Sequence, residues 1–184
     1  LAGGGEFKQP LMTDNLGGIP GVLANKLVLA VDASGSLGPV VAGGSGTTTL
    51  ASIYGSGPYQ NMGVPGAKSF HLVADGYGNA AGVKDGKANP YFVRFASSGT
   101  TCVLKDAMAQ KPTFFSLWIG NNDVLSYATS GGSGKDQTGN MNPATYGGND
   151  ITDPKVYASV IKSILDGMKA AGATKGVLAN IPNV

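Results

Sequence analysis

The chain has one cysteine, Cys102, and one histidine, His71, in 184 residues. A lone cysteine excludes an intrachain disulfide and a cysteine-built metal site. A lone histidine means that any mechanism needing a histidine base either uses His71 or takes its base from outside these residues. Charged residues make up 13% of the chain, about half the usual share of roughly 25%. The 13 basic and 11 acidic residues are scattered along the sequence, which leaves no electrostatic footprint for nucleic acid or an anionic membrane. No apolar run reaches the roughly 18 residues that a transmembrane helix needs, and no secretory signal is visible.

What is present argues for a globular domain. Hydrophobic residues account for 42% of the chain, with six Phe, seven Tyr and one Trp, enough for a single core at this length. Thirty glycines fall between the apolar segments, so connecting loops must be extensive. Low charge combined with abundant Gly, Ser, Thr and Asn suits an extracytoplasmic setting. One domain is expected over 1–184, with both ends being internal points of a longer chain.

The stretch 113–123 organises the rest. Thr113-Phe-Phe-Ser-Leu-Trp-Ile119 has no charge and no polar alternation, the pattern of a strand covered on both faces of a parallel sheet. It ends abruptly in Gly120-Asn121-Asn122-Asp123. A strand of this kind delivers its last residues to the carboxyl edge of a sheet, where open α/β folds bind ligands. An Asn at that edge offers a neutral amide donor suited to an oxyanion, although Asn and Asp also serve simply as turn and cap residues.

Taken in order, residues 1–21 read as a Gly- and Pro-rich loop. Residues 25–32 have strand composition, 33–36 form a turn, and 37–42 return as the second strand of a hairpin. With the low-complexity segment that follows, 22–57 reads as a β-rich insertion. Residues 67–74 are helix-compatible, and a helix starting near Gly66 would direct free backbone N–H groups outward. Gly63 and Gly66 share the spacing of a dinucleotide fingerprint, but Asn61 stands at the first glycine position and no strand precedes it. Thr100 or Thr101 caps a helix to about residue 110, with Val103, Leu104, Ala107 and Met108 inward. The long polar loop 129–152 contains Asp136, Asn140, Asn142, Asn149 and Asp150, oxygen donors for Ca²⁺ whose spacing matches no cation loop. Asp153-Pro154 opens the strongest predicted helix, with Val156, Tyr157, Val160, Ile161, Ile164, Leu165 and Met168 at core spacing. A second buried strand is expected over 175–181. Strand, helix, strand makes a parallel crossover the default, and the fold class is α/β.

Two motifs now stand together: Asn61-Met62-Gly63-Val64-Pro65-Gly66 before a helix, and Gly120-Asn121-Asn122-Asp123 after a strand. The pair resembles the SGNH (GDSL-type) hydrolase family, with the wording around 114–123 looking most like its lipoprotein-type members from Bacteroidetes-like bacteria. The resemblance covers about residues 59–184. It implies a three-layer α/β/α sandwich with a mainly parallel, flavodoxin-like sheet, and hydrolysis of carboxylic esters of small-molecule, lipid or glycan type without a cofactor. It implies that Asn122 lends its side-chain amide and Gly66 its backbone N–H to an oxyanion hole, with Asp123 and Gly120 in supporting positions.

The chain departs from the family pattern in two blocks. Gly35-Ser36-Leu37 only superficially resembles the nucleophile block, since no Asp or Asn separates Gly from Ser. No D-x-x-H occurs, because Lys68 stands three residues before His71, which reads as a structural histidine. The resemblance therefore implies that the nucleophilic serine and the Asp/His pair lie outside 1–184. The alternatives are a non-catalytic surface or carbohydrate-binding module and, more distantly, a nucleotide-binding domain.

Overall fold

The computed structural model describes residues 5–181. Residues 1–4 of the opening loop and residues 182–184 lie outside them. The described residues form four α-helices and two separate two-stranded sheets. Strands β1 (Leu27–Val31) and β2 (Leu37–Val41) make an antiparallel hairpin in the predicted place, pairing Leu27 with Val41 and Val31 with Leu37. Strands β3 (Phe114–Leu117) and β4 (Lys175–Leu178) pair in parallel, with Phe114 opposite Lys175.

The helices are α1 (Pro90–Phe95), α2 (Val103–Ala109), α3 (Asn121–Thr129) and α4 (Pro154–Ala170). The α4 start is built as its sequence dictates. Asp153 accepts hydrogen bonds from the Lys155 and Val156 N–H groups, and Pro154 occupies a position whose N–H would have no intrahelical partner. Val156, Val160, Ile164 and Met168, one turn apart, form its buried stripe. Phe115 and Leu117 of β3 and Leu104, Ala107 and Met108 of α2 pack on that stripe.

A second apolar cluster joins Tyr59, Ala67, Tyr77, Phe92, Phe95 and Val103. Helix α1 supplies its centre. The Asn89 side chain caps it by accepting from the Tyr91 N–H, and Pro90 begins it. Arg94 is buried in the same helix, donating to the Leu11 carbonyl at 3.0 Å and so anchoring the opening loop.

The expected three-layer sandwich with a mainly parallel sheet is not formed. Its parallel part consists of two four-residue strands, and helices cover one face only: Phe115 and Leu117 face α4, whereas Phe114 is 58% and Trp118 66% exposed. Likewise β4 is exposed along its length and ends at Leu178. The apolar run reflected the β preference of aromatic and aliphatic side chains, and that preference is separate from burial on two faces. The segment after Gly66 also differs, forming a short 3₁₀ turn (Ser69–Val73) in place of an α-helix.

Candidate functional site

Gly120 turns the chain out of β3 and into α3. Its φ of +118° is a left-handed conformation open to glycine, and a Cβ there would sit 2.6 Å from the Ile181 Cδ1 atom and 2.8 Å from the Tyr157 ring. The Tyr157 hydroxyl donates to the Ile119 carbonyl at 3.1 Å and fixes the strand end from the α4 side. Helix α3 then starts at Asn121 with no side chain capping it, and the Asp123 N–H of its first turn donates to the Gly120 carbonyl at 3.0 Å.

At this point the two motifs meet. The Asn122 Nδ2 donates to the Ala67 carbonyl at 2.9 Å, across 55 residues of sequence. Ala67 directly follows Gly66, so the amide of Asn122 and the Gly66 turn are neighbours. An Asn amide has two N–H donors, and the Ala67 carbonyl takes one. Gly66 has a φ of +76°, is exposed, and has no heavy atom within 4 Å of where a Cβ would stand.

A buried polar network beneath these residues fixes their spacing. The Asp123 carboxylate accepts the Ser69 N–H at 2.8 Å and the Ser69 hydroxyl at 2.7 Å, and the Asp123 carbonyl accepts the Thr152 N–H. Lys68, 5% exposed, donates through Nζ to the Asp150 carbonyl at 2.6 Å. Burial draws the Lys68 ammonium below its ordinary range, and the carboxylates of Asp123 and Asp150 oppose that. Ser69 carries no signal of its own in the sequence, Lys68 enters there only as the residue that breaks a D-x-x-H pattern, and Asp150 only as an oxygen donor considered for Ca²⁺. As site residues, their only signal is adjacency to the two motifs and to the Asp153 cap.

The loop that Lys68 holds is organised by its own acids. Asp150 accepts from the Lys135 and Gly147 N–H groups and the Gln137 amide, and these bonds hold its carboxyl below the usual range, the Gly147 bond foremost. Asp136 accepts from the Thr138 N–H and hydroxyl; Asn140 and Asn142 each accept from a backbone N–H two residues on, and Asn149 donates to the Ser133 hydroxyl. Among the described residues no three His, Cys, Asp or Glu side chains cluster as a metal site. The oxygen donors noted for Ca²⁺ are thus engaged in loop structure.

Next to Asn122 runs a cavity of about 910 Å³. One wall is the segment 60–65, another is β3 with Trp118 to Asn122, and α2 and α4 contribute Leu104, Ala107, Ile164 and Met168. No charged side chain lines it. The β3 wall is an open sheet edge. The Leu117 carbonyl accepts the Ala179 N–H on the β4 side, and in a parallel ladder alternate residues face opposite edges, so the Ser116 peptide groups point away from β4.

The remaining candidates sit elsewhere in the bonding scheme. Ser36 closes the hairpin turn, its N–H donating to the Asp32 carboxylate at 3.0 Å and its hydroxyl accepting from Ser34. His71 stacks on Tyr77 with ring centroids 4.8 Å apart, and its Nδ1 accepts the Lys68 N–H at 3.0 Å. Burial, with the Lys68 charge adding to it, lowers its pKa to about 4. It is a neutral packing residue near pH 7.

No protein-family model, curated protein or solved structure matches this chain. The functional reading therefore rests on the geometry and the two motifs alone. Among the described residues, no helix is long and apolar enough to cross a membrane.

Proposed function

We propose that these residues form the oxyanion-binding half of an SGNH-type ester hydrolase, with the nucleophilic serine and its Asp/His partners supplied by polypeptide outside 1–184. The observation that carries the reading is the 2.9 Å bond from Asn122 to Ala67, two residues that line the cavity, which sets the Asn122 amide beside the Gly66 turn. In the proposed reaction the histidine takes the serine hydroxyl proton as the serine oxygen adds to the ester carbonyl, and the carbonyl electron pair moves to oxygen. That oxygen accepts hydrogen bonds from the free Asn122 N–H and the Gly66 N–H. Collapse of the adduct breaks the bond to the alkoxide, which leaves with a proton from the histidine, and water then releases the acid by the reverse sequence.

The uncharged cavity supports a neutral acyl or alcohol portion of the substrate. Its open β3 edge supports completion of the site by a further extended segment, because peptide groups at an unpaired sheet edge need partners. An extracytoplasmic location belongs to the same proposal. A second reading, a non-catalytic binding module, is favoured by the engagement of His71 with Lys68 and Tyr77, which leaves no histidine base among the described residues.

The test is covalent labelling of the natural full-length polypeptide with a fluorophosphonate, followed by peptide mass spectrometry, alongside turnover of p-nitrophenyl esters. Turnover with a labelled serine outside 1–184 supports the hydrolase. A label on Ser36 would relocate the nucleophile, and absence of both label and turnover would leave the binding module.

A further inference from the structure

The β1–β2 hairpin carries an apolar face that nothing among the described residues covers. In an antiparallel pair, residues directly opposite share a face. The register therefore places Leu27 with Val41, Leu29 with Pro39 and Val31 with Leu37 on one side. All six are apolar and exposed, Leu29 at 74%, Leu37 at 69%, Val31 at 64%, Leu27 at 63% and Val41 at 56%. On the other side Ala30, Gly38 and Val40 are half-buried. The hairpin is secured at its base, where Lys26 N–H donates to the Leu16 carbonyl and the Asn25 amide donates to the Ala42 and Gly44 carbonyls. Its tip is fixed by Asp32, which accepts from the Ser34 and Ser36 N–H groups. A two-stranded hairpin with an uncovered face is marginal in water by itself.

We infer that this face is the contact surface of a homodimer, two hairpins packing face to face across a two-fold axis. The inference is independent of the hydrolase reading. The five quantified side chains and Pro39 present roughly 500 Å² of apolar surface, at the upper end of what a monomer ordinarily exposes in one patch. Two copies together bury about 1,000 Å², the lower bound of a stable interface. A flat face of branched aliphatic side chains is self-complementary, since it brings no like charges together under two-fold symmetry. A lipid surface fits less well. The face has no aromatic residue, and its tip carries the Asp32 carboxylate, whereas interfacial segments favour Trp, Phe and flanking cations.

Light scattering on the eluted natural full-length polypeptide at about 100 μM, a concentration suited to an interface of this modest size, decides the matter. The expected result is twice the chain mass. Leu29→Glu and, on the opposite strand, Leu37→Glu should each give the single-chain mass, while Lys84→Glu, an exposed change outside the hairpin, should leave the dimer intact. Unchanged far-ultraviolet circular dichroism in each variant separates dissociation from unfolding. A single-chain mass for the unaltered protein, or a dimer that survives Leu29→Glu and Leu37→Glu, overturns the inference. Single-chain protein that binds neutral phosphatidylcholine vesicles through this face also overturns it and assigns the face to lipid.

Discussion

Asp123 and Ser69, 54 residues apart in sequence, are joined twice: the Asp123 carboxylate takes both the Ser69 N–H and the Ser69 hydroxyl. Ser69 has no exposed surface and Asp123 only 3%. Replacing Asp123 by Ala would leave two buried donors without acceptors, at a cost of about 1–3 kcal/mol for each orphaned group. Asp123→Asn retains one acceptor oxygen and should lose less. Urea unfolding of the two variants checks this ordering, with Asp123→Ala expected to have the lower midpoint.

The two glycines of the site should respond differently to alanine. At Gly120 a Cβ meets Ile181 and Tyr157 at 2.6–2.8 Å in a left-handed backbone, so strain and overlap add. The expected loss is about 2–4 kcal/mol. At Gly66 the Cβ points into open space, leaving only the left-handed backbone penalty of about 1–2 kcal/mol. Thermal unfolding of Gly120→Ala and Gly66→Ala should therefore show a clearly larger shift for the first.

His71 predicts a specific pH dependence. Its folded pKa of about 4 lies below the unfolded value near 6.5. Between these values the unfolded chain binds more protons, so stability rises with pH through this window and is lost as pH falls from about 6.5 towards 4. The carboxylates of Asp136, Asp150 and Asp153, also depressed, lose their contribution only as pH falls through and below their unfolded value near 3.9. Melting temperatures from pH 7 to 4.5 should decline in the unaltered protein, and His71→Gln should flatten that decline.

The legible parts of this fold were those fixed by local chemistry. The hairpin followed from two β-prone runs around Asp32-Ala-Ser-Gly-Ser36, and α4 followed from Asp153-Pro154 and its apolar stripe. Helix α1 carries the same type of start signal, Asn89-Pro90. Its six residues are too few for a helical apolar period to show. The sandwich was misread because residues 113–119 are apolar on both faces while only Phe115 and Leu117 pack inward. Of the site, the two motifs are legible in the sequence, while the Asn122–Ala67 bond that joins them spans 55 residues and is a finding of the structure. The Lys68–Asp150 bond depends on a contact across 82 residues, which no local pattern encodes.

The central claim, that Asn122 donates to a developing oxyanion, is tested most directly by ester turnover in the natural full-length polypeptide with and without Asn122→Ala. The account predicts a kcat lower by about 10²-fold or more, a KM changed far less, and a protein that still folds, with its unfolding midpoint lowered by the loss of the bond to the buried Ala67 carbonyl, about 1–3 kcal/mol. An Asn122→Ala protein that folds and retains the kcat of the unaltered polypeptide would contradict it.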